Sequence, residues 1–271
     1  MRALGPAAVL AASLVVLLLA VPLVALVWRT LESGALAQGA GSAVVLQALQ
    51  LSLATSFGSL ALALLLGTPL AFGLARFSFP GRGVIEALVE VPVVLPPAVA
   101  GIALLMAFGR RGLMGAPLAE LGISVAFTPW AVVLAQCFVA VPFYVRAART
   151  GFAGVDRDLE GAARVDGATP LGVFRHVTAP LAFPSLLAGA VLCWARALGE
   201  FGATIMFAGS FRGRTQTMPL AIYAALESDL GAALALSTAL VIISVLTLAL
   251  VRYVARGWEA QAIIGREDAR G

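Results

Sequence analysis

The chain has 271 residues and no lysine; all 18 of its basic residues are arginine. Without lysine there is no G-x-x-x-x-G-K-[ST] loop, whose lysine reaches the phosphates of a bound nucleotide. The chain therefore cannot supply a Walker-type ATPase site. Histidine is nearly absent too: His176 alone excludes a metal cluster built on several histidines within one chain. Cysteine is limited to Cys137 and Cys193, both inside apolar runs, where a small buried side chain is the simplest reading. No G-x-S-x-G elbow or H-E-x-x-H pair occurs. Charge of either sign is scarce, 12% of residues against about 25% in a soluble domain. Basic residues do not alternate with aromatics along a polar face, which argues against nucleic acid as a partner. These absences exclude most enzyme classes and assign no cofactor to this chain. Any energised work must draw on a partner or on an ion gradient.

What fills the space is hydrocarbon. Apolar residues make up 61% of the chain and mean hydropathy is +1.00. A bilayer crossing needs about 20 apolar residues at about 1.5 Å each. Six runs qualify: 7–28, 49–75, 88–109, 124–144, 181–209 and 230–254. Lipid offers backbone groups no hydrogen bonds, so the spans are predicted to be helices and the chain a single all-α polytopic bundle over residues 1–271. The third run is interrupted by Pro92, Pro96 and Pro97, the fifth by Arg196 and Glu200. Arginine placement sets orientation. With the N-terminus inside, twelve arginines are cytoplasmic (2, 76, 82, 146, 149, 157, 164, 175, 252, 256, 266, 270) and five are outside (29, 110, 111, 212, 214). Both termini are then cytoplasmic.

Nine charged residues crowd the segment from Arg146 to Pro180, the predicted cytoplasmic loop between the fourth and fifth spans. Within it, DRDLEGAARVDGATPLGVFRHVTAP has its own helix punctuation. Asp156 or Asp158 can cap a short helix running to about Asp166, with Asp158 and Glu160 suiting its positive start. Gly167 fits the left-handed position that ends such a helix. Thr169-Pro170 reads as a second start, and Leu171, Phe174 and Val177 form an apolar stripe beyond it. Pro180 then opens the fifth span. Thirty residues of capped structure on a minimal membrane protein read as a docking surface, against the plainer reading of an ordered connecting loop.

This island resembles the cytoplasmic coupling-loop signature of ATP-binding-cassette importer permeases: E-A-A, three residues, Gly, then nine residues before I-x-L-P. Aligned on Gly167, the double alanine is Ala162-Ala163, the isoleucine position is Val177, the leucine position is Ala179 and the proline is Pro180. Gly161 stands at the signature's glutamate position, with Glu160 one residue earlier. The resemblance implies that Glu160, Gly161, Ala162, Ala163, Asp166, Gly167, Phe174 and Pro180 belong to a coupling element that docks on a separate ATPase. It further implies a homodimer in a bacterial inner membrane with two ATPase subunits, which hold ATP and Mg, and an external binding protein.

A second stretch narrows the branch. RALGEFGATIMFAG, from Arg196 to Gly209, and GRTQTMPLAIY, from Gly213 to Tyr223, resemble molybdate and sulfate permeases, and the latter run is nearer the molybdate type. PVVLPPAVAG, Pro92 to Gly101, resembles the third span of that branch. The resemblance implies a gate built from the third and fifth spans, with Pro92, Pro96, Pro97, Gly101, Arg196, Gly199, Glu200 and Gly202 along the path. Read physically, Arg196 and Glu200 are four apart and can pair, either as a structural staple or with Arg196 beside an anion route. The function implied is import of an oxyanion, most like molybdate. Sulfate or tungstate import remains open, as does a gradient-driven secondary transporter, although such proteins commonly show repeated halves that are not evident here.

Overall fold

The computed structural model describes residues 5–35 and 42–268; Arg2 and Arg270, used above for orientation, lie outside them. Among the described residues the chain is all-α. In order, the helices are α1 (Pro6–Glu32), α2 (Ala43–Arg76), α3 (Arg82–Val94), α4 (Pro97–Phe108), α5 (Gly115–Glu120), α6 (Pro129–Ala153), α7 (Arg157–Val165), α8 (Pro170–Val173), α9 (Ala179–Leu198), α10 (Gly202–Ala208), α11 (Met218–Leu226) and α12 (Leu230–Asp268). A five-residue π-helical segment, Phe174–Thr178, joins α8 to α9.

Among the described residues, five helical stretches are long and apolar enough to cross a membrane: Ala7–Glu32, Ala43–Arg76, Pro129–Ala153, Pro170–Leu198 and Leu230–Ala249. The remaining run, 88–109, is two helices. Leu95 is extended (φ −67°, ψ 135°), as a residue before proline prefers, and α4 restarts at Pro97. At 13 and 12 residues, each half is about 20 Å long, short of the ~30 Å hydrocarbon core. The fifth span differs from expectation as well. Helix begins at Pro170 and runs through the π segment past Pro180, so this proline lies in an early turn of α9 and does not open the span. The segment breaks later, at Gly199–Phe201, before α10.

The centre of the bundle is α6, which buries 61% of its most apolar stretch, against 28% or less for the other four long spans. It packs between α2 and α9, and small residues allow the close approach. A Cβ on Gly67 of α2 would lie 2.9 Å from the Tyr144 ring, and one on Gly189 of α9 would lie 2.7 Å from Ala147 Cβ. Around these contacts Ala63, Ala71, Leu74, Ala140, Tyr144, Val145, Ala148, Phe152 and Ala197 form the main core. Hydroxyl groups pair across these helices, Tyr144 with Thr68 at 2.6 Å and Ser59 with the Gln136 amide oxygen at 2.9 Å, while Gln136 Nε2 is buried without a partner among the described residues. Met218 N–H donates to Ser52 Oγ at 2.6 Å, which fixes α11 against α2. By contrast α1 is exposed along almost its whole length and is held to α12 by a Thr30–Thr238 hydroxyl pair at 2.8 Å. On the island side, Glu86 of α3 accepts from Arg82 and pairs with Arg149 of α6 at 3.1 Å. The Arg82 hydrogen bond, helped by the charges of Arg149 and Arg82, holds Glu86 below the usual carboxylate range against a smaller desolvation effect.

Candidate functional site: two paired helix breaks and a capped surface island

The two irregular spans meet at their breaks. A Cβ on Gly202, the first residue of α10, would lie 2.6 Å from Pro97 Cβ and 3.5 Å from Ala98 N. One turn on, a Cβ on Gly101 would lie 2.6 Å from Met206 Cβ and 2.8 Å from Ala203 O. Glycine is required at both positions because α4 and α10 touch at backbone distance, and any side chain would hold them apart. Three of the expected gate residues, Pro97, Gly101 and Gly202, are therefore in one contact. Pro96 caps α4 at the same level, and Gly199 ends α9. Pro92 stands apart, inside α3, where it lines an apolar cavity of about 350 Å³ with Leu88, Leu104 and Cys137.

Arg196 and Glu200 span the second break. Arg196 Nη1 lies 2.6 Å from Glu200 Oε2, and the other carboxylate oxygen accepts the Ala203 N–H at 2.7 Å. Glu200 thereby ties the last turn of α9 to the first turn of α10. The signs also agree with the backbone dipoles, cation at a helix end and anion at a helix start. Exposure separates the two partners: the Glu200 side chain is 1% exposed and the Arg196 side chain 32%. The carboxylate is a buried anchor, and the arginine it orients is partly exposed. An arginine fork held in this way suits a tetrahedral oxyanion.

The island folds as its punctuation predicts. Asp156 caps α7, its side chain accepting the Asp158 N–H at 2.9 Å. Gly167 adopts φ +87°. The Ala168 N–H then reaches Ala163 O and the Gly167 N–H reaches Arg164 O, each at 3.0 Å, the double closure of a Schellman end. Thr169 accepts the Gly172 N–H at 3.2 Å. The predicted stripe departs from expectation at one member. Leu171 is 74% exposed, while Val173 is buried and Phe174 packs its ring 5.2 Å from Phe72. Within the short α8 it is Val173, not Leu171, that turns inward, and the π segment begins only after it, at Phe174. Leu159, Val165 and Leu171 form an exposed apolar set on an otherwise charged element, beside exposed Ala162 and Asp166 and the half-buried Gly161 and Ala163. Nothing lies within 4 Å of the Cβ direction of Gly161 or Gly167. Glu160 points the other way. It is buried and pairs with Arg76 at 2.7 Å. Sequence reasoning missed Arg76 and Thr178, the latter bonded to the same carboxylate; both sit at span ends, where an arginine reads only as a topology marker.

Residues 63–260 match the family model for a binding-protein-dependent transport system inner membrane component. The chain belongs to that family. This permease is 48% identical over 201 residues to the molybdenum transport system permease protein ModB of Mycobacterium tuberculosis, covering 73% of this chain and 75% of the relative. It is 41% identical over 224 residues to ModB of Escherichia coli K12, covering 82% and 96%. Among solved structures, it superposes on a chain of a bacterial alginate ABC transporter, crystallised with an alginate-bound periplasmic protein, with a TM-score of 0.70 at 16% identity over 91% of both chains. A chain of the inward-facing MetNI methionine ABC transporter superposes with a TM-score of 0.59 at 19% identity, covering 79% and 96%. The permease thus has the importer fold, and as a family member it is a multi-pass inner-membrane protein.

Proposed function

We propose that this permease carries molybdate across the bacterial inner membrane as a homodimer, with two ATPase subunits on the cytoplasmic side and a binding protein delivering the oxyanion outside. The observation that carries this reading is the identity of 41–48% to ModB proteins, spread over most of the chain. The geometry supports it. The absent lysine leaves ATP hydrolysis to a partner, and the exposed Leu159, Val165 and Leu171 on a capped island give that partner an apolar surface to grip. The excess of arginine on one side favours an orientation with the island and both termini in the cytoplasm. The contact between α4 and α10 is the gate. Closed, it excludes solute by backbone contact; opened, it exposes a path along which Arg196, oriented by Glu200, meets a tetrahedral anion. This chain moves the oxyanion and performs no chemistry on it.

The test is reconstitution. Alone in lipid vesicles, the chain neither hydrolyses ATP nor accumulates molybdate under an imposed proton or sodium gradient. With its ATPase and the loaded binding protein it accumulates molybdate only when ATP is supplied. Accumulation by the chain alone would make it a secondary transporter. ATP-driven uptake of sulfate with none of molybdate would overturn the cargo.

A further inference from the structure

The Arg76–Glu160 pair gathers four stretches of chain. Glu160 Oε1 accepts from Arg76 Nη2 at 2.7 Å and from Thr178 Oγ1 at 2.7 Å. The same Nη2 also donates to Val155 O at 3.2 Å. Arg76 is the last residue of α2, Val155 follows α6, Glu160 lies in α7, and Thr178 closes the π segment into α9. The Arg76 and Glu160 side chains are each 8% exposed. Among the described residues the second carboxylate oxygen has only Arg164, at 3.8 Å and on an exposed side chain.

Stability alone is a poor reason for such a pair. Taking two charges out of water costs several kcal/mol each, and apolar residues of similar volume often serve the fold as well or better. What a buried, doubly bonded carboxylate provides is direction: it fixes how α7 sits against α2 and α9 and resists sliding between them. Van der Waals contacts among alanines do not specify register in that way. Glu160 also cannot belong to the docking surface itself, because it faces inward from the helix that carries it.

We infer that Glu160 is a positioning residue, and that the Arg76–Glu160–Thr178 cluster passes displacement of α7 to the two long helices α2 and α9. This rests on the reading of α7 as the element an ATPase grips. A mere staple would affect protein abundance and assembly. A relay sets how much of the α7 movement reaches the α4–α10 contact.

The experiment uses the complete complex in lipid nanodiscs, with Cys137→Ala and Cys193→Ala as background. Spin labels are attached after Ala162→Cys or Val99→Cys, and distances between the two copies are measured before and after ATP binding. Both labelled positions are exposed, the first on α7 and the second on α4. Two variants are compared with the parent. Thr178→Val removes one donor at nearly constant volume, and Arg76→Gln with Glu160→Gln removes both charges together. In the parent, ATP shifts both label distances. In the variants the Ala162 shift persists, the Val99 shift falls at least twofold, and ATP hydrolysed per molybdate imported rises at least threefold. A Val99 shift and a stoichiometry equal to the parent's in Thr178→Val would overturn the relay, whether or not the double variant accumulates. If the parent shows ATP-driven shifts but imports no molybdate, the cargo assignment fails while the distances still judge the relay. A parent with no ATP-driven shift would overturn both.

Discussion

Gly202→Ala is the smallest change that probes the paired breaks. The added Cβ would lie 2.6 Å from Pro97 Cβ, whereas carbon atoms rest about 3.5–4.0 Å apart. The two helix starts must therefore separate by about 1 Å where they touch. Pro97 cannot yield by rotating a side chain, because its ring is closed onto the backbone. Overpacking of this kind costs about 1–3 kcal/mol, offset by about 0.5–1 kcal/mol because alanine suits a helix better than glycine. A net cost of about 0.5–2 kcal/mol against the conformation described here shifts its population about 2- to 30-fold. The assay is reaction of a cysteine at position 99 (Val99→Cys) with a soluble thiol reagent, alongside ATP-dependent uptake in vesicles. The variant should label faster than the parent without ATP and should import less per ATP hydrolysed. Gly73→Ala is the control, since nothing lies within 4 Å of its Cβ direction. Labelling and uptake equal to the parent's in Gly202→Ala would show that the contact does not control the path.

Gly167→Val places a β-branched residue at φ +87° with no steric neighbour, so its cost is backbone strain alone, about 1–3 kcal/mol. The α7 end should fray, and co-purification with the ATPase should fall while insertion is unchanged; normal assembly and uptake would remove α7 from the coupling role. For the other break, Glu200→Gln should lower abundance, because it leaves the Arg196 charge unanswered beside a buried amide. Arg196→Gln with Glu200→Gln should recover abundance without recovering uptake. Recovery of both would make the pair a staple with no part in anion passage.

Much of this arrangement is local and so legible in sequence. Asp156, Gly167 and Thr169-Pro170 act through hydrogen bonds to residues two to five away, and capping chemistry predicts each of them. The proline and Arg–Glu interruptions likewise mark the two spans that prove irregular. What sequence does not carry is which irregularities meet. That Gly202 lies against Pro97, and Gly101 against Ala203, depends on how two separated spans pack, and no spacing rule reaches across a hundred residues. Glu160 shows the same limit. Its charge and position read as surface, and Arg76, 84 residues earlier, together with Thr178, turns it inward. The stripe of Leu171, Phe174 and Val177 fails at Leu171 for a different reason: an i, i+3 count does not say which way a four-residue helix faces, and α8 turns Val173 inward instead.

The helical run from Pro170 to Leu198, α-helical but for its π segment, has a mechanical corollary. Twenty-nine residues at about 1.5 Å each form a rod about 43 Å long, with the surface island at one end and the Gly199–Phe201 break at the other. A rod of that length converts angle into distance. A tilt of 10°, pivoting at the island, would carry the far end through roughly 7 Å, more than the rise of a full helical turn. Had the chain broken at Pro180, as prolines commonly dictate, the island would be a hinged appendage whose rocking ended at the membrane surface. With that proline taken into an early turn, any tilt of the island would carry through to the Gly199–Phe201 break.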